Sequence, residues 1–171
     1  LGLVHQISRL EESIQKADII IIAVPVDNIE TLLPLILDNI DNHTVVIDVG
    51  STKEAICTAI SHHPKRNRFV AAHPLAGTEF SGPEAALKGL FQGRKNIICE
   101  SESSDPDALG TALKLFDSLG MITSLMTAEE HDKHLAYVSH LSHVSSFMLG
   151  LTVLDIEKDE KQIFDLAGTG F

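Results

Sequence analysis

An α/β fold built on a parallel sheet is what this sequence predicts, and three observations predict it. The run Ile19-Ile20-Ile21-Ile22-Ala23-Val24, ended by Pro25, is apolar throughout. It lacks the alternation of a half-wet sheet and reads as a central parallel strand covered on both faces. Thr44-Val45-Val46-Ile47-Asp48-Val49 repeats the pattern. Helical spacing fills the intervals between such runs, and regular strand–helix alternation implies a parallel sheet with right-handed crossovers.

The elements follow in order. Leu10, Ile14 and Ala17 share one side of a short helix. After the poly-Ile strand, Asp27 is a candidate N-cap for a helix carrying Ile29, Leu32, Leu33, Ile36 and Leu37, with Pro34 as a potential kink. Residues 39–43 make a turn into the second strand, which Gly50-Ser51-Thr52-Lys53 closes. A helix over about residues 53–61 presents Ala55, Ile56, Ala59 and Ile60. Lys65, Arg66 and Arg68 form a basic loop, read as solvated in preference to anion-binding, before the third strand, Phe69-Val70-Ala71-Ala72.

Beyond Gly82 the pattern loosens. Residues 83–90 suit a short helix, and Asn96-Ile97-Ile98-Cys99-Glu100 a strand. Asp105 or Pro106 starts a helix whose apolar face carries Leu109, Leu113, Leu115 and Phe116. Residues 121–126 make one more strand. Thr127-Ala128-Glu129-Glu130 has the form of a capping box. It opens a long helix reaching to about Asp155, apolar nearly all round, through Leu135, Val138, Leu141, Val144, Phe147 and Leu151. Such a helix is expected to be buried on most sides, by a second domain or a second subunit.

Composition narrows the class of function. The 171 residues are 44% hydrophobic and 22% charged, which suits one substantial domain or one plus the start of another. A formal charge of -11 argues against nucleic acid or an anionic membrane as partner. Cys57 and Cys99 have no paired spacing, which fits a reducing cytoplasm rather than a disulfide framework. The strongly apolar run over residues 19–26 is too short to span a bilayer, and no signal-like segment opens the chain. A start at Leu1 and a stop at Phe171 after Gly168-Thr169-Gly170 read like a piece cut from something longer.

Chemistry concentrates in His73-Pro74-Leu75-Ala76-Gly77-Thr78-Glu79. The histidine ends a strand, at the sheet edge where ligands bind in open α/β folds. Pro74 stiffens the turn and Gly77 permits unusual backbone angles, while Thr78 and Glu79 add a hydroxyl and a carboxylate. A histidine there can give or take a proton near neutral pH, or it can be a structural group bonded to a carbonyl. Gly50-Ser51-Thr52-Lys53 lies where a helix N-terminus offers N–H groups to an anion or polar ligand, but it lacks the phosphate-loop pattern. A simple helix cap by Ser51 or Thr52 explains it equally well. Ser51 and His73 end successive strands and can share one crevice, as a Ser–His pair or as positioners of a substrate hydroxyl.

His131, His134, His140 and His143 invite a metal reading. At about 100° per residue, His131 and His134 share one face, and His140 and His143 a nearly opposite one. A single four-histidine site on one helix is therefore excluded; either i,i+3 pair could contribute to a metal with help from elsewhere, but no Cys or carboxylate partner has ligand-like spacing. No metal site is expected; substrate contacts or hydrogen-bonded structural histidines are favoured.

Together these segments resemble the prephenate dehydrogenase family of tyrosine biosynthesis, which includes arogenate dehydrogenases. The resemblance rests on Ala23-Val24-Pro25, on Asp48-Val49-Gly50-Ser51-Thr52-Lys53, and on the His73 segment extended through Phe80-Ser81-Gly82. His131-Asp132, His140-Leu141-Ser142-His143 and Leu166-Ala167-Gly168-Thr169-Gly170-Phe171 support it, in order over essentially the whole chain.

The resemblance implies a Rossmann-like sheet lacking its N-terminal part (residues 1–126), then the start of an all-helical substrate and dimerisation domain (residues 127–171). It implies NAD- or NADP-dependent oxidative decarboxylation of prephenate or arogenate by a cytoplasmic homodimer. His73 would accept the hydroxyl proton, with Ser51 orienting hydroxyl and imidazole. Thr78, Glu79, His143 and His140 would contact substrate, and Val24, Pro25 and Ser51 the cofactor. The family's G-x-G-x-x-G-type loop has no counterpart in residues 1–18, so weak cofactor binding by these residues alone is expected. Two competitors stand beside this reading. One is another β-hydroxy acid dehydrogenase, for which Lys133 is poor support; the other is a non-catalytic sensing or oligomerising module.

Overall fold

The computed structural model describes residues 4–77 and 86–157, with Ser139, His140 and His143 described for the backbone alone. In chain order the elements are α1 (Leu10–Ile14), β1 (Ile19–Ile22), α2 (Val26–Asn39), β2 (Val45–Asp48), α3 (Glu54–Ala59) and β3 (Phe69–Pro74). Then follow β4 (Lys95–Cys99), α4 (Pro106–Ser118), β5 (Ile122–Met126), α5 (Ala128–Leu135), a π turn (Ala136–His140) and α6 (Leu141–Glu157). The chain divides into two compact units, residues 1–132 and 133–171.

The five strands form one sheet in the order β1-β2-β3-β4-β5. The β1–β2, β2–β3 and β4–β5 pairs are parallel, as the alternation of strands and helices requires. The β3–β4 pair is antiparallel. An antiparallel pair does not require the helical crossover that a parallel pair does.

Both faces of the sheet centre are buried. Val45 and Ile47 of β2, Val70 and Ala72 of β3 and Ile98 of β4 cluster with Ala108, Ala112 and Phe116 of α4. Val46, Asp48, Phe69 and Ala71 alternate to the other face and are fully buried too. Each buried Val, Ile or Phe here contributes roughly 1.5–3 kcal/mol through burial. The face of α4 is thus set by Ala108, Ala112 and Phe116, while Leu113 is exposed and Leu109 and Leu115 are half-buried. Two alanines let the helix lie close on the sheet, which counting only large apolar residues misses.

Other expectations meet the structure differently. Among the described residues β1 pairs with β2 alone, with Ile19 and Ile21 exposed and Ile22 buried. An apolar run reports affinity for cover; it does not say that these residues supply it. Helix α2 starts at Val26 with Pro25 at the cap position, and buries Ile29, Leu33, Ile36 and Leu37. The basic segment is not a solvated loop. Arg66 and Arg68 are buried. Arg66 donates from Nη1 to the Phe69 carbonyl (2.9 Å) and lies over the Phe69 ring. Arg68 donates to the His43 carbonyl (2.8 Å) and to both oxygens of Asp107 (2.9 Å each), bolting the start of β2 to the start of α4. Lys65 Nζ donates to the Ile40 carbonyl (2.5 Å), closing the C-terminal end of α2.

Two helix ends follow sequence logic closely. At α5, Glu130 N–H donates to Thr127 Oγ1 (3.1 Å) and Thr127 N–H to Glu130 Oε2 (3.0 Å), the reciprocal capping box. At the end of α4, Gly120 has φ +73°. Its N–H donates to the Asp117 carbonyl (2.8 Å) while Met121 N–H donates to that of Phe116 (3.1 Å). This is a Schellman closure, with buried Met121 and Phe116 in the same apolar cluster.

In the second unit, α6 is apolar but open. Val144, Phe147, Leu151 and Leu154 are exposed, and Val153 is buried. The hydroxyls of Ser145, Ser146 and Thr152 donate to carbonyls one turn back, at 2.8, 2.9 and 2.8 Å, so they need no outside partner. The π turn before α6 also breaks the 100° arithmetic that set His131 and His134 opposite His140 and His143. No described helix is long and apolar enough to cross a membrane.

Candidate active site

The sheet delivers two side chains to one edge. In β3, His73 lies opposite Ile97 of β4, one residue before the strand ends. With Asp48 opposite Ala71, the parallel β2–β3 register carries Ser51 and His73 to the same C-terminal edge. Ser51 is exposed and His73 half-buried, as access to a ligand demands. Val24 and Pro25 are exposed just past β1 at that edge. Thr78 and Glu79 lie outside the described residues, as do the side chains of His140 and His143.

A buried ion pair underlies this edge. Lys53 and Asp48 are both fully buried; Lys53 Nζ donates to Asp48 Oδ2 and to the Ala72 carbonyl (2.9 Å). Asp48 also accepts from Gly50 N–H (3.0 Å) and Ala72 N–H (3.3 Å). Burial pushes the Asp48 carboxyl above its usual range, against the opposing pull of Lys53. The pair joins the end of β2, the following turn and the residue preceding His73. Lys53 is therefore spent on the fold, not offered to a phosphate.

The N-terminus of α3 is also occupied from within. Asp132 Oδ1 accepts from Lys53 N–H (2.8 Å) and Asp132 Oδ2 from Glu54 N–H (2.9 Å). Neither Ser51 nor Thr52 caps this helix; the capping group comes from 79 residues along the chain. Burial pushes the Asp132 carboxyl up. The N–H groups of Glu54 and Lys53 and the His131 ring outweigh it, so the group is held below its usual range.

His131 completes the arrangement. It is fully buried, its Nδ1 lies 2.6 Å from Asp132 Oδ1, and its Nε2 lies 2.8 Å from His73 Nδ1. The two rings meet edge to face, with centroids 5.1 Å apart. A chain thus runs from the α3 N-terminus through Asp132 and His131 to His73. Spacing along the sequence did not single out His131 for this contact. The signal that was present is the His131-Asp132 dipeptide at the start of a capped helix.

An α/β sheet of nucleotide-binding type, with a half-buried histidine at the C-terminal edge of β3 in contact with a buried imidazole, defines the class of protein. Comparison with known proteins narrows it. Residues 1–124 match the family description "Prephenate dehydrogenase, nucleotide-binding domain", and residues 127–171 match "Prephenate dehydrogenase, dimerization domain". The chain belongs to the prephenate dehydrogenase family.

A cyclohexadienyl dehydrogenase of Zymomonas mobilis is 28% identical over 152 residues, covering 89% of this chain and 52% of that protein. A prephenate dehydrogenase of Lactococcus lactis is 30% identical over 173 residues, covering 99% and 47%. Among solved structures, prephenate dehydrogenase from A. aeolicus in complex with hydroxyphenyl propionate and NAD+ matches with a TM-score of 0.79 at 29% identity. That match covers 90% of this chain and 54% of that one. The chain spans about half the length of these relatives.

Proposed function

We propose that this protein oxidatively decarboxylates prephenate or arogenate in tyrosine biosynthesis, with NAD or NADP as hydride acceptor and His73 as proton acceptor. The observation that carries the reading is His73 at the C-terminal edge of β3, its Nδ1 2.8 Å from a buried imidazole. His73 takes the proton from the ring hydroxyl through Nε2. Electron density then rises at the carbon that loses hydride. Loss of the ring carboxylate as carbon dioxide leaves its bonding electrons in the ring, which becomes aromatic. Ser51 orients the hydroxyl, and Thr78, Glu79, His143 and His140 contact the rest of the substrate.

NAD(P), when bound, supplies the hydride-accepting centre. Val24 and Pro25 are exposed and uncharged, and fit van der Waals contact with a flat ring better than contact with phosphate. The N–H groups of α3 are already taken by Asp132, so that helix does not seat the pyrophosphate. The exposed apolar side chains of α6 support a homodimer formed through that helix.

The test follows NAD(P)H absorbance with prephenate and arogenate for the full-length protein and its His73→Ala form. Turnover of one substrate is expected, with His73→Ala losing roughly 10²-fold or more in kcat while still binding it. Silence with both substrates and both cofactors would overturn the reading.

A further inference from the structure

We propose that His131 and Asp132 are positioning residues that hold His73 in its Nδ1–H tautomer, making Nε2 the nitrogen that receives the substrate proton. The inference deepens the reading of His73 as base and rests on it. The argument is one of donors and acceptors. Asp132 uses both carboxylate oxygens as acceptors, for Lys53 N–H (2.8 Å) and Glu54 N–H (2.9 Å). An ionised carboxylate only accepts, so the 2.6 Å contact to His131 Nδ1 has the imidazole as donor.

With His131 neutral, its Nε2 is then an acceptor. The 2.8 Å contact to His73 must be donated by His73 Nδ1–H. One proton order satisfies the whole chain, and it ends with the lone pair of His73 on Nε2. An imidazole in isolation has no such instruction.

The anchoring is as specific as the proton order. Asp132 bridges the first N–H groups of α3 and the ring of His131, which is fully buried and lies beside Asp132 on α5. Rotation of His131 would break the bonds at both of its nitrogens. The charged and titratable groups around the chain come from several elements. Asp48 and Lys53 lie on and after β2, Glu54 opens α3, and Cys99 on β4 carries a thiol that burial pushes up to about 12. The Asp48–Lys53 pair is internally compensated, and among the described residues Asp132 is the carboxylate in hydrogen-bond contact with His131.

The experiment compares His131→Leu with His131→Gln in the full-length protein, by kinetics and by ¹⁵N NMR of labelled histidines, with His73 assigned by its loss in His73→Ala. A Gln carbonyl can still accept from His73 Nδ1–H; Leu cannot. The expected result is an Nδ1–H tautomer at His73 in the parent and in His131→Gln, and loss of that preference in His131→Leu. In kinetics, kcat should fall roughly 10²-fold in His131→Leu with KM changed less than about threefold, and recover largely in His131→Gln.

An Nε2–H tautomer at His73 in the parent overturns the proposal. So does an unchanged kcat in His131→Leu, or an equal loss in both variants. Failure of the base reading is separable: His73→Ala would then keep its activity, while the tautomer measurement would still report on the chain.

Discussion

The Asp48–Lys53 pair makes the sharpest stability prediction. Both side chains are fully buried, and Lys53 Nζ is the compensating charge for a carboxylate otherwise held by Gly50 N–H (3.0 Å) and Ala72 N–H (3.3 Å). Replacing Lys53 by Met keeps volume and removes the charge. Breaking a buried pair from one side costs about 3–5 kcal/mol, because the other charge is left uncompensated. At about 2–4 °C per kcal/mol for a chain of this size, Tm should fall by about 6–20 °C.

The sign of the pH dependence follows from Asp48, whose folded pKa already lies above the ordinary value of 3.8 because of burial. Without Lys53 it rises further. A raised carboxyl favours the fold below the unfolded pKa, and that contribution is lost as pH rises through the folded value. Lys53→Met should therefore be more destabilised at pH 8 than at pH 5. Adding Asp48→Asn removes the stranded charge and should recover most of the loss. Denaturant titrations of both single variants and the double variant at the two pH values measure all of this. A Lys53→Met loss under about 1 kcal/mol, or a double variant no better than Lys53→Met, would refute the reasoning.

Further outcomes follow from other contacts. The Asp132 carboxyl is held below 3.8 in the fold, so it contributes stability above that pH which is lost as pH falls through the folded value. Asp132→Asn should flatten the acid limb of a stability curve between about pH 5 and 2, and an unchanged limb would count against the capping contacts. Burial pushes the Cys57 thiol up to about 11 and that of Cys99 to about 12, so native protein should react with a thiol reagent at neutral pH far more slowly than unfolded protein. Labelling at equal rates would show that the β2–β3–β4 centre opens. Gly120→Ala places a side chain at φ +73° and should destabilise by about 1–2 kcal/mol in a thermal melt.

The sequence by itself determined the local grammar of this protein. Runs rich in apolar residues located the five strands of the described residues, and in β2, β3 and β4 those runs are the buried centre of the sheet. Thr127 and Glu130 specified a helix start, since caps are written within a few residues of the groups they satisfy. His73 was legible at the C-terminal end of its strand, because that end is implied once a strand and its direction are known. Tertiary structure alone decided how these parts meet. It turned Arg66 and Arg68 inward and set β4 antiparallel to β3. Above all it brought Asp132 to the N-terminus of α3 and His131 against His73, contacts spanning 79 and 58 residues of sequence. Periodicity carries no information about such pairs. Each exists because a buried polar atom must find a partner, and the partner is whichever group the fold carries within reach.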